Sequence, residues 1–387
     1  MLLLSAALAV LTILGCLYTL FCLCCVLGFF RDAPDEGSLP LRGDLPAVSI
    51  LKPIKGPDPF CGESLSTFCA QDYPRFEVLF GIGDPDDPAV TIAGAVAASA
   101  PCDARLVVRK GGSGTNDKVL NLLALARESR YPMLALSDSD MAVDSLYLRR
   151  IVSEFGSTER TGIVTSLYKI SSPTSMGSAL ESLAIALDFI PSVLAARRLE
   201  GVTFGLGASI LVSGEALRDI GGFEAIADYL ADDYQLGFRL WRKGYKNVLS
   251  RYVLENRVGS MSIAGHLTHQ LRWARTYRAS RPLGFFGYGI THTFFFALLL
   301  FCIRPTAASG LLLILVLVLR YGLALAVYRK VIDTRKWLAF LPLLPFRDVL
   351  AFFVWLWSFA GSKVVWRGCA FRVIRGGRMV KLQDEPG

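Results

Sequence analysis

Charged residues are missing from three long stretches of this sequence. Asp, Glu, Lys and Arg are all absent from residues 1–30, 283–303 and 305–319. A membrane-spanning helix needs about 20 apolar residues, so each stretch predicts a span, the last extended past Arg320 to Tyr328. Apolar residues make up 53 % of the chain and charged residues only 19 %. This composition excludes an ordinary soluble enzyme.

Signals for cleavage are absent from the first stretch. It has no basic residue before its apolar core and no small-residue site near Cys22, Cys24 and Cys25. A secretory signal peptide needs both features. We therefore expect residues 1–30 to be an uncleaved transmembrane anchor, followed by a polar linker at 31–46.

Histidine is scarce, and cysteine lacks metal-binding spacing. The chain has three histidines and nine cysteines, and the cysteines between Arg31 and Pro282 form no C-x-x-C pair. This pattern argues against zinc and against a disulfide framework, and it suits a reducing compartment. Motifs of serine hydrolases and P-loop nucleotidases are also missing.

Basic residues follow the apolar runs. The net charge is +8, and Lys and Arg concentrate at 329–336 and 363–381. Positive residues flank spans on the cytoplasmic side, so we expect the central domain and the basic tail in the cytosol. Residues 337–366 would then form an interfacial segment or a tight hairpin. No nucleic-acid partner is expected. The predicted membrane is a bacterial inner membrane or, in a eukaryote, that of the Golgi or ER.

The central region alternates strand and helix patterns. Strands are predicted at 47–51, 76–83, 105–109, 133–137, 162–169 and 208–213, and helices at 87–98, 117–130, 145–155, 176–198 and 233–243. Apolar strands separated by helices predict an α/β fold with a mostly parallel sheet covered on both faces. Ligands of such sheets bind beyond the carboxyl ends of the strands.

Acidic residues follow two of these strands and open one helix. Asp84 and Asp87 lie in a D-P-D-D-P turn, which alone predicts only a turn with a helix cap. Asp138 and Asp140 form D-S-D after a buried strand, and such oxygen ligands suit Mg²⁺ or Mn²⁺ bridging substrate phosphates. Asp233, in A-D-D-Y, is either a helix cap or a general base.

Two basic stretches suit a phosphate-bearing ligand. Lys52 and Lys55 lie at the end of the first predicted strand. Residues 111–118, G-G-S-G-T-N-D-K, form a Gly-rich turn that enters a helix and contains Asn116 and Lys118. Such turns bind anions through backbone N–H groups.

The order of these motifs resembles that of membrane-anchored glycosyltransferases of the family 2 type, which have the GT-A nucleotide-sugar fold. It is more similar still to the ceramide glucosyltransferase family, family 21. The similar segments lie between residues 47 and 282 and include V-S-I-L-K-P-I-K-G, Q-D-Y-P-R-F-E-V-L-F, D-P-D-D-P-A-V, G-T-N-D-K-V-L-N-L, S-D-S-D, L-A-D-D-Y and L-R-W.

The resemblance implies a role for each acidic residue. Asp84 and Asp87 would lie near the uridine of a UDP-sugar. Asp138 and Asp140 would bind its diphosphate through a divalent cation, Mg²⁺ or Mn²⁺. Asp233 would be the general base that deprotonates the acceptor hydroxyl.

The resemblance also bears on H-Q-L-R-W, residues 269–273. Arg272 and Trp273 match the R-W of the family's (Q/R)-x-x-R-W motif, near the diphosphate and acceptor. His269 departs from the Gln or Arg of that motif, and H-x-L-R-W is more like bacterial members, including hopanoid glycosyltransferases. Helical spacing places His269, Arg272 and Trp273 on one face.

The predicted function is inverting transfer from a UDP-sugar to a lipid hydroxyl at the bilayer, with UDP-glucose and ceramide the leading pair. Transfer of UDP-GlcNAc to a hopanoid and processive polysaccharide synthesis are alternatives. The domain order predicted is an anchor at 1–30, a linker at 31–46, a GT-A catalytic domain at 47–260, an interfacial helix at 261–282, transmembrane or interfacial helices at 283–366 and a basic tail at 367–387.

Overall fold

The computed structural model describes residues 1–31, 45–156 and 160–382, so most of the predicted linker lies outside the described residues. The chain divides into two compact units. The helical unit comprises Met1–Asp32, Ile170–Leu199 and Ser260–Val364. The sheet unit comprises Ala33–Lys169, Glu200–Gly259 and Val365–Gly387.

The strands, in chain order, are β1 (Val48–Ile54), β2 (Phe76–Ile82), β3 (Asp103–Val108), β4 (Met133–Leu136), β5 (Met141–Ala142), β6 (Thr161–Lys169), β7 (Ile210–Ser213), β8 (Lys246–Asn256), β9 (Lys363–Trp366), β10 (Cys369–Val373) and β11 (Met379–Lys381).

The α-helices are α1 (Leu2–Phe29), α2 (Cys61–Cys69), α3 (Ala89–Ser99), α4 (Asp117–Glu128), α5 (Tyr147–Phe155), α6 (Met176–Ala184), α7 (Ile190–Glu200), α8 (Gly214–Asp219), α9 (Asp232–Arg242), α10 (Ile263–Ser280), α11 (Pro282–Gly287), α12 (Thr293–Ile303), α13 (Ala307–Val327) and α14 (Leu344–Ser358). Short 3₁₀ or π segments lie at Ile185–Phe189, Phe223–Ile226, Tyr288–Thr291, Tyr328–Ile332 and Arg335–Leu343.

The main sheet has the order β3-β2-β1-β4-β7-β6-β8-β5. Strands β3, β2, β1 and β4 run parallel, and β6 is parallel to β8. Strand β7 is antiparallel to both of its neighbours, and β5 is antiparallel to β8. The prediction of an α/β fold with a mostly parallel sheet is therefore confirmed.

Burial explains why the central strands read as apolar runs. Every residue of β1 and β4 is buried, as expected for strands covered on both faces. Some polar side chains within this layer are paired across strands. Glu77 of β2, for example, accepts hydrogen bonds from Ser49 Oγ at 2.7 Å and Arg105 Nη2 at 2.6 Å.

Three groups of strands were not predicted, and the first is β5, a two-residue strand that pairs with β8. Strand β8 carries Lys246, Arg251 and Glu255 among half-buried positions, so it lacks an apolar run. Strands β9, β10 and β11 form a second sheet where we expected only transmembrane or interfacial helices and a basic tail. In this sheet Phe371 and Val373 are buried while Arg372 is exposed, the alternation of a half-buried strand.

One predicted helix belongs to the other unit. Residues 176–198 were expected to cover the sheet, but Ile170–Leu199 falls in the helical unit. Helices α6 and α7 form one apolar run, Met176–Glu200, through a π turn. A helix that is apolar on all sides can pack either against a sheet or within a helical bundle. The sequence pattern therefore does not show to which unit this helix belongs.

Among the described residues, four helical runs are long and apolar enough to cross a membrane: Leu2–Phe29, Met176–Glu200, Ala307–Ile332 and Arg335–Ser358. Helices Pro282–Thr291 and Thr293–Ile303 form a further candidate that is bent by 52°. Residues 337–366 contain one helical run followed by a strand. The tight-hairpin alternative is therefore wrong, because Pro342 and Pro345 are accommodated in and beside that run.

Charges inside the helical unit neutralise one another. Arg320 donates to Asp348 at 2.6 and 2.8 Å and lies 3.3 Å from Asp188. Arg347 pairs with the same two carboxylates. Charged side chains in an apolar environment require such pairing, which explains how Arg347 and Asp348 are tolerated within an apolar segment.

Candidate active site

The D-S-D turn directly follows β4, at the carboxyl edge of the parallel strands. Lys52, a fully buried residue of β1, donates from Nζ to Ser137 Oγ at 3.2 Å and to the backbone oxygen of Asp138. The ammonium also lies 3.7 Å from the centre of the Phe68 ring. Burial lowers the pKa of Lys52 to about 7, against the opposing charges of Asp140 and Asp138. Through these two hydrogen bonds Lys52 stabilises the conformation of the D-S-D turn.

Lys118 joins the D-S-D turn to the start of α9. Its Nζ lies 2.6 Å from Asp138 Oδ1 and 3.4 Å from Asp232 Oδ2. Burial alone would lower the pKa of Lys118, but Asp138, Asp232 and Asp233 outweigh burial and raise it. The Lys118 ammonium is therefore a permanent positive charge between the two acidic segments.

Gly207 marks the point where these side chains meet. A β-carbon built on Gly207 would lie 3.1 Å from Asp138 Oδ2, 3.1 Å from Lys118 Nζ and 3.2 Å from Asp233 Oδ2. The backbone N–H of Gly207 donates to Asp233 Oδ2 at 2.7 Å, and Tyr234 N donates to Asp233 Oδ1 at 2.7 Å. Lys118, Gly207 and Asp233, with Ser137 and Asp232, line a cavity of the sheet unit.

The Gly-rich turn positions Lys118 through its neighbour Asn116. Asn116 is fully buried, caps α4 by accepting from Val119 N at 3.3 Å, and donates to Tyr229 O at 2.7 Å. It therefore ties the start of α4 to the segment that leads into α9. In the structure Asn116 therefore has this structural role. Its predicted contact with the donor substrate stays a prediction.

The remaining predicted donor residues lie on neighbouring turns. Asp87 accepts from Gly56 N at 2.8 Å and from Ala89 N at 2.8 Å, so it caps α3 and holds the loop after β1. Asp84 is exposed and accepts from Asp86 N at 3.0 Å. Lys55 pairs with Asp117 at 2.7 Å. All of these turns follow parallel strands, where the sheet rule places a ligand.

Burial disfavours the charged forms of the central acids. It raises the pKa of Asp140 to about 6, with Asp138 and Asp58 adding to the increase. It also raises the pKa of Asp232 to about 6, against the opposing charge of Lys118. The pKa of Asp233 is likewise raised by burial. Because several carboxyl groups are buried together, a positive charge bound beside them would stabilise their ionised forms.

The donor atoms fit a hard divalent cation. Asp140 Oδ2 accepts from Asn256 Nδ2 at 3.3 Å, while Asp140 Oδ1 is buried and, within the described residues, has no hydrogen-bond partner. The described ranges contain no cluster of three or more His, Cys, Asp or Glu arranged for a metal ion. Mg²⁺ and Mn²⁺ use few protein carboxylates and fill their shells with water and phosphate oxygens. Asp138 and Asp140 are the residues that would hold such an ion.

The H-Q-L-R-W residues lie on α10 in the helical unit, where the structure reveals an unpredicted partner, Glu181. Glu181 is buried and accepts from or pairs with His266 Nδ1 at 2.7 Å, His269 Nδ1 at 3.0 Å and Gln270 Nε2 at 3.0 Å. The Trp273 ring lies 5.0 Å from that of His269 and 5.7 Å from that of Phe189.

Glu181 was missed although a signal for it exists. It is the lone acid in M-G-S-A-L-E-S-L-A, and an isolated acid in an apolar helix marks a paired or functional site. Arg272, the other predicted residue of this motif, lies one helical turn beyond His269 on α10. The structure thus groups His269 and Trp273 with Glu181, and groups Lys118, Asp138 and Asp233 in the sheet unit.

Comparisons with known proteins bear on the family and the fold. The sequence profile of glycosyl transferase family 21 matches residues 7–379. Ceramide glucosyltransferase 3 of Caenorhabditis elegans is 29% identical over 239 residues, which cover 62% of this chain and 52% of the relative. The ceramide glucosyltransferase of Komagataella phaffii is 33% identical over 145 residues, 35% of this chain and 28% of the relative. The chain spans about half the length of the nematode relatives.

A solved structure shows the same fold. The mannosyltransferase PcManGT from Pyrobaculum calidifontis, in complex with GDP-Man and Mn²⁺, aligns with a TM-score of 0.52 and 18% identity over 92% of this chain and 99% of that chain. The likeness confirms the predicted GT-A fold. With a family profile that matches nearly the whole chain, the protein belongs to glycosyltransferase family 21.

Proposed function

We propose that this protein is a membrane-associated inverting glycosyltransferase that moves a hexose from a UDP-sugar to a lipid hydroxyl. UDP-glucose and ceramide are the donor and acceptor that its similarity to ceramide glucosyltransferases favours. The observation that carries the proposal is the convergence of Asp138, Lys118 and Asp233 on Gly207 at the carboxyl edge of the sheet.

The donor side of this cluster suits a nucleoside diphosphate. A Mg²⁺ or Mn²⁺ ion held by Asp138 and Asp140 would stabilise the negative charge that develops on the leaving diphosphate. The Lys118 ammonium, 2.6 Å from Asp138, supplies a fixed positive charge beside the same place. The exposed Asp84 is available to the nucleoside, and Asp87 holds the Gly56 loop next to it.

The acceptor side needs one base. Asp233 Oδ1 and Oδ2 each accept one backbone hydrogen bond, from Tyr234 and Gly207, which fixes the carboxylate while leaving lone pairs unused. In the proposed reaction Asp233 takes the proton of the acceptor hydroxyl as the oxygen bonds to the anomeric carbon. The bond from that carbon to the diphosphate breaks in the same displacement, so the configuration inverts. A raised pKa makes this carboxylate a better proton acceptor at neutral pH.

The path of the chain limits which helices can cross a bilayer. Strand β6 precedes Met176–Glu200 and β7 follows it, and these two strands pair in one sheet. One crossing would separate them, so we infer that Met176–Glu200 does not span. Glu200–Gly259 and Val365–Gly387 also belong to one unit, so the segment between them crosses an even number of times.

Charge selects among the three candidates in that segment. Arg304 lies between the bent pair and α13, whereas Arg329, Lys330, Arg335 and Lys336 lie between α13 and the last helical run. Positive residues favour the cytoplasmic side. We therefore propose that the bent pair and Ala307–Ile332 cross, and that Arg335–Ser358 lies at the interface. The sheet unit would then be cytosolic, where UDP-sugars are available.

A transfer assay tests the proposal directly. Membranes containing the protein are incubated with Mn²⁺, radiolabelled UDP-glucose or UDP-GlcNAc, and ceramide or a hopanoid polyol. We expect labelled lipid with UDP-glucose and ceramide, and none after Asp233→Asn. The exposed Asp86 of the D-P-D-D-P turn gives a matched control, Asp86→Asn, that should remain active. Absence of labelled lipid from every donor–acceptor pair would contradict the proposed function.

A further inference from the structure

The turn between β9 and β10 brings an arginine into the sheet unit from near the C-terminal end. Arg367 and Gly368 both have positive φ, 48° and 78°, which is the geometry of a two-residue hairpin turn. Arg367 Nη1 lies 2.6 Å from Asp58 Oδ1, and Nη2 lies 2.9 Å from Asp58 Oδ2. This two-point pairing fixes the direction of both side chains.

Asp58 also contacts the D-S-D turn. Asp58 Oδ2 accepts from Ser139 Oγ at 2.6 Å, and Ser139 is the residue between Asp138 and Asp140. Ser139 is only 4 % exposed, so its hydroxyl has few other partners available. The chain of contacts Arg367–Asp58–Ser139 therefore ends on the residue that sets the orientation of both carboxylates.

The same C-terminal segment also holds the other half of the cluster. Met379 N donates to Asp228 O at 2.7 Å, and Leu230 N donates to Gly377 O at 3.1 Å. Residues 228–230 lead directly into the start of α9, which carries Asp232 and Asp233. Residues 367–379 thus attach to both acidic segments that meet at Gly207.

We propose that Arg367 and Asp58 are positioning residues for the cation-binding turn, and that the β9–β11 segment is part of the donor site. This inference rests on the proposed function in one respect, namely that Asp138 and Asp140 bind a divalent cation with a UDP-sugar. Outer partners of metal ligands commonly change metal affinity by about 10–100-fold. Arg367 and Asp58 act through Ser139 and need not touch the substrate.

The test measures binding rather than transfer. The full-length protein in detergent is titrated with Mn²⁺ in the presence of UDP-glucose, and free Mn²⁺ is followed by electron paramagnetic resonance. Arg367→Ala, Asp58→Asn and Ser139→Ala should each weaken Mn²⁺ binding about tenfold or more. Arg367→Lys keeps the charge but not the two-point pairing, so its Mn²⁺ affinity should lie between those of wild type and Arg367→Ala. Arg375→Ala, on an exposed arginine of the same segment, is the matched control and should bind like wild type.

Coupling separates positioning from a general loss of stability. If the three residues act in series, Arg367→Ala combined with Ser139→Ala should weaken binding little more than either change alone. Wild-type affinity in folded Arg367→Ala and Ser139→Ala variants, or fully additive losses, would overturn the inference. If the wild-type protein binds no Mn²⁺ in the presence of UDP-glucose, both this inference and the proposed cation-dependent binding of a UDP-sugar are contradicted. If Mn²⁺ binding behaves as expected but no lipid is labelled, only the proposed acceptor reaction fails.

Discussion

Gly207 lies so close to Asp138 that a β-carbon on Gly207 would come within 3.1 Å of Asp138 Oδ2. Lys118 Nζ and Asp233 Oδ2 would be within 3.1 and 3.2 Å of the same carbon. Three groups of the proposed reaction therefore share one small space, and the absence of a side chain at residue 207 is what allows them to approach.

Gly207→Ala should disturb all three groups at once. Overpacking costs about 1–3 kcal/mol, and we expect donor binding to weaken about tenfold or more, which corresponds to about 1.4 kcal/mol. Isothermal titration with UDP-glucose and Mn²⁺ measures the effect. Gly94→Ala is the control, because a β-carbon there meets nothing within 4 Å and alanine is preferred in a helix by about 1 kcal/mol. Unchanged affinity in a folded Gly207→Ala protein would refute the crowding argument.

Asp233→Asn separates the base from the donor site. Loss of a general base slows a reaction by about 10²–10⁴-fold. The amide keeps the size of the side chain, and its single oxygen can still accept from either Gly207 N or Tyr234 N. We expect kcat for lipid transfer to fall by that amount and UDP binding to remain close to wild type. Parallel loss of UDP binding would instead assign Asp233 to the donor site.

The pKa of Asp140, raised by burial to about 6, predicts how cation binding depends on pH. Mn²⁺ needs the deprotonated carboxylate, so affinity should be constant above about pH 7 and fall by up to about tenfold per unit below pH 6. UDP-glucose is the appropriate co-ligand, because its diphosphate is esterified at both ends and does not titrate in this range. Affinity that stays constant down to pH 5 would contradict this prediction, and loss of Mn²⁺ binding in Asp140→Asn tests separately whether Asp140 is a ligand.

The interaction between His269 and Glu181 can be tested by introducing the glutamine of the family motif at position 269. The family motif accepts Gln at this position, and a Gln side chain at 269 could still donate to Glu181. His269→Gln should therefore keep most of the transfer activity. His269→Ala should lose about tenfold, the scale of one hydrogen bond to a charged group. His266→Gln, at a residue only 3 % exposed, should mainly lower the melting temperature. Equal losses for His269→Gln and His269→Ala would show that the imidazole itself is required.

The sequence predicted those parts of the cluster that local patterns encode. Asp138 and Asp140 follow a strand that is buried throughout, and a strand end in a parallel sheet is a known ligand position. Lys118 and Asn116 were found through the Gly-rich turn before α4. In each case a short stretch of sequence determines both the local structure and the chemistry.

Other parts depend on contacts between distant segments. Asp58 and Arg367 are 309 residues apart in sequence, and neither lies in a motif that marks it. Gly207 follows no pattern that separates it from other loop glycines, because its role comes from three side chains on different elements. The sequence pattern places the predicted helix at 176–198 in the sheet domain, because an apolar helix has the same pattern in either unit.

Epitope insertion tests the proposed membrane arrangement. A tag inserted after Arg304 should react with antibody in intact cells. A tag inserted after Asp333 should react only after permeabilisation, as should a tag at residue 387. The reason is that four basic residues surround the second site and one lies at the first. Reaction of the Asp333 tag but not of the Arg304 tag in intact cells would mean that Ala307–Ile332 and Arg335–Ser358 are the crossing pair and that the bent pair only re-enters the bilayer. Because an even number of crossings is required, the two internal tags together assign all three candidates.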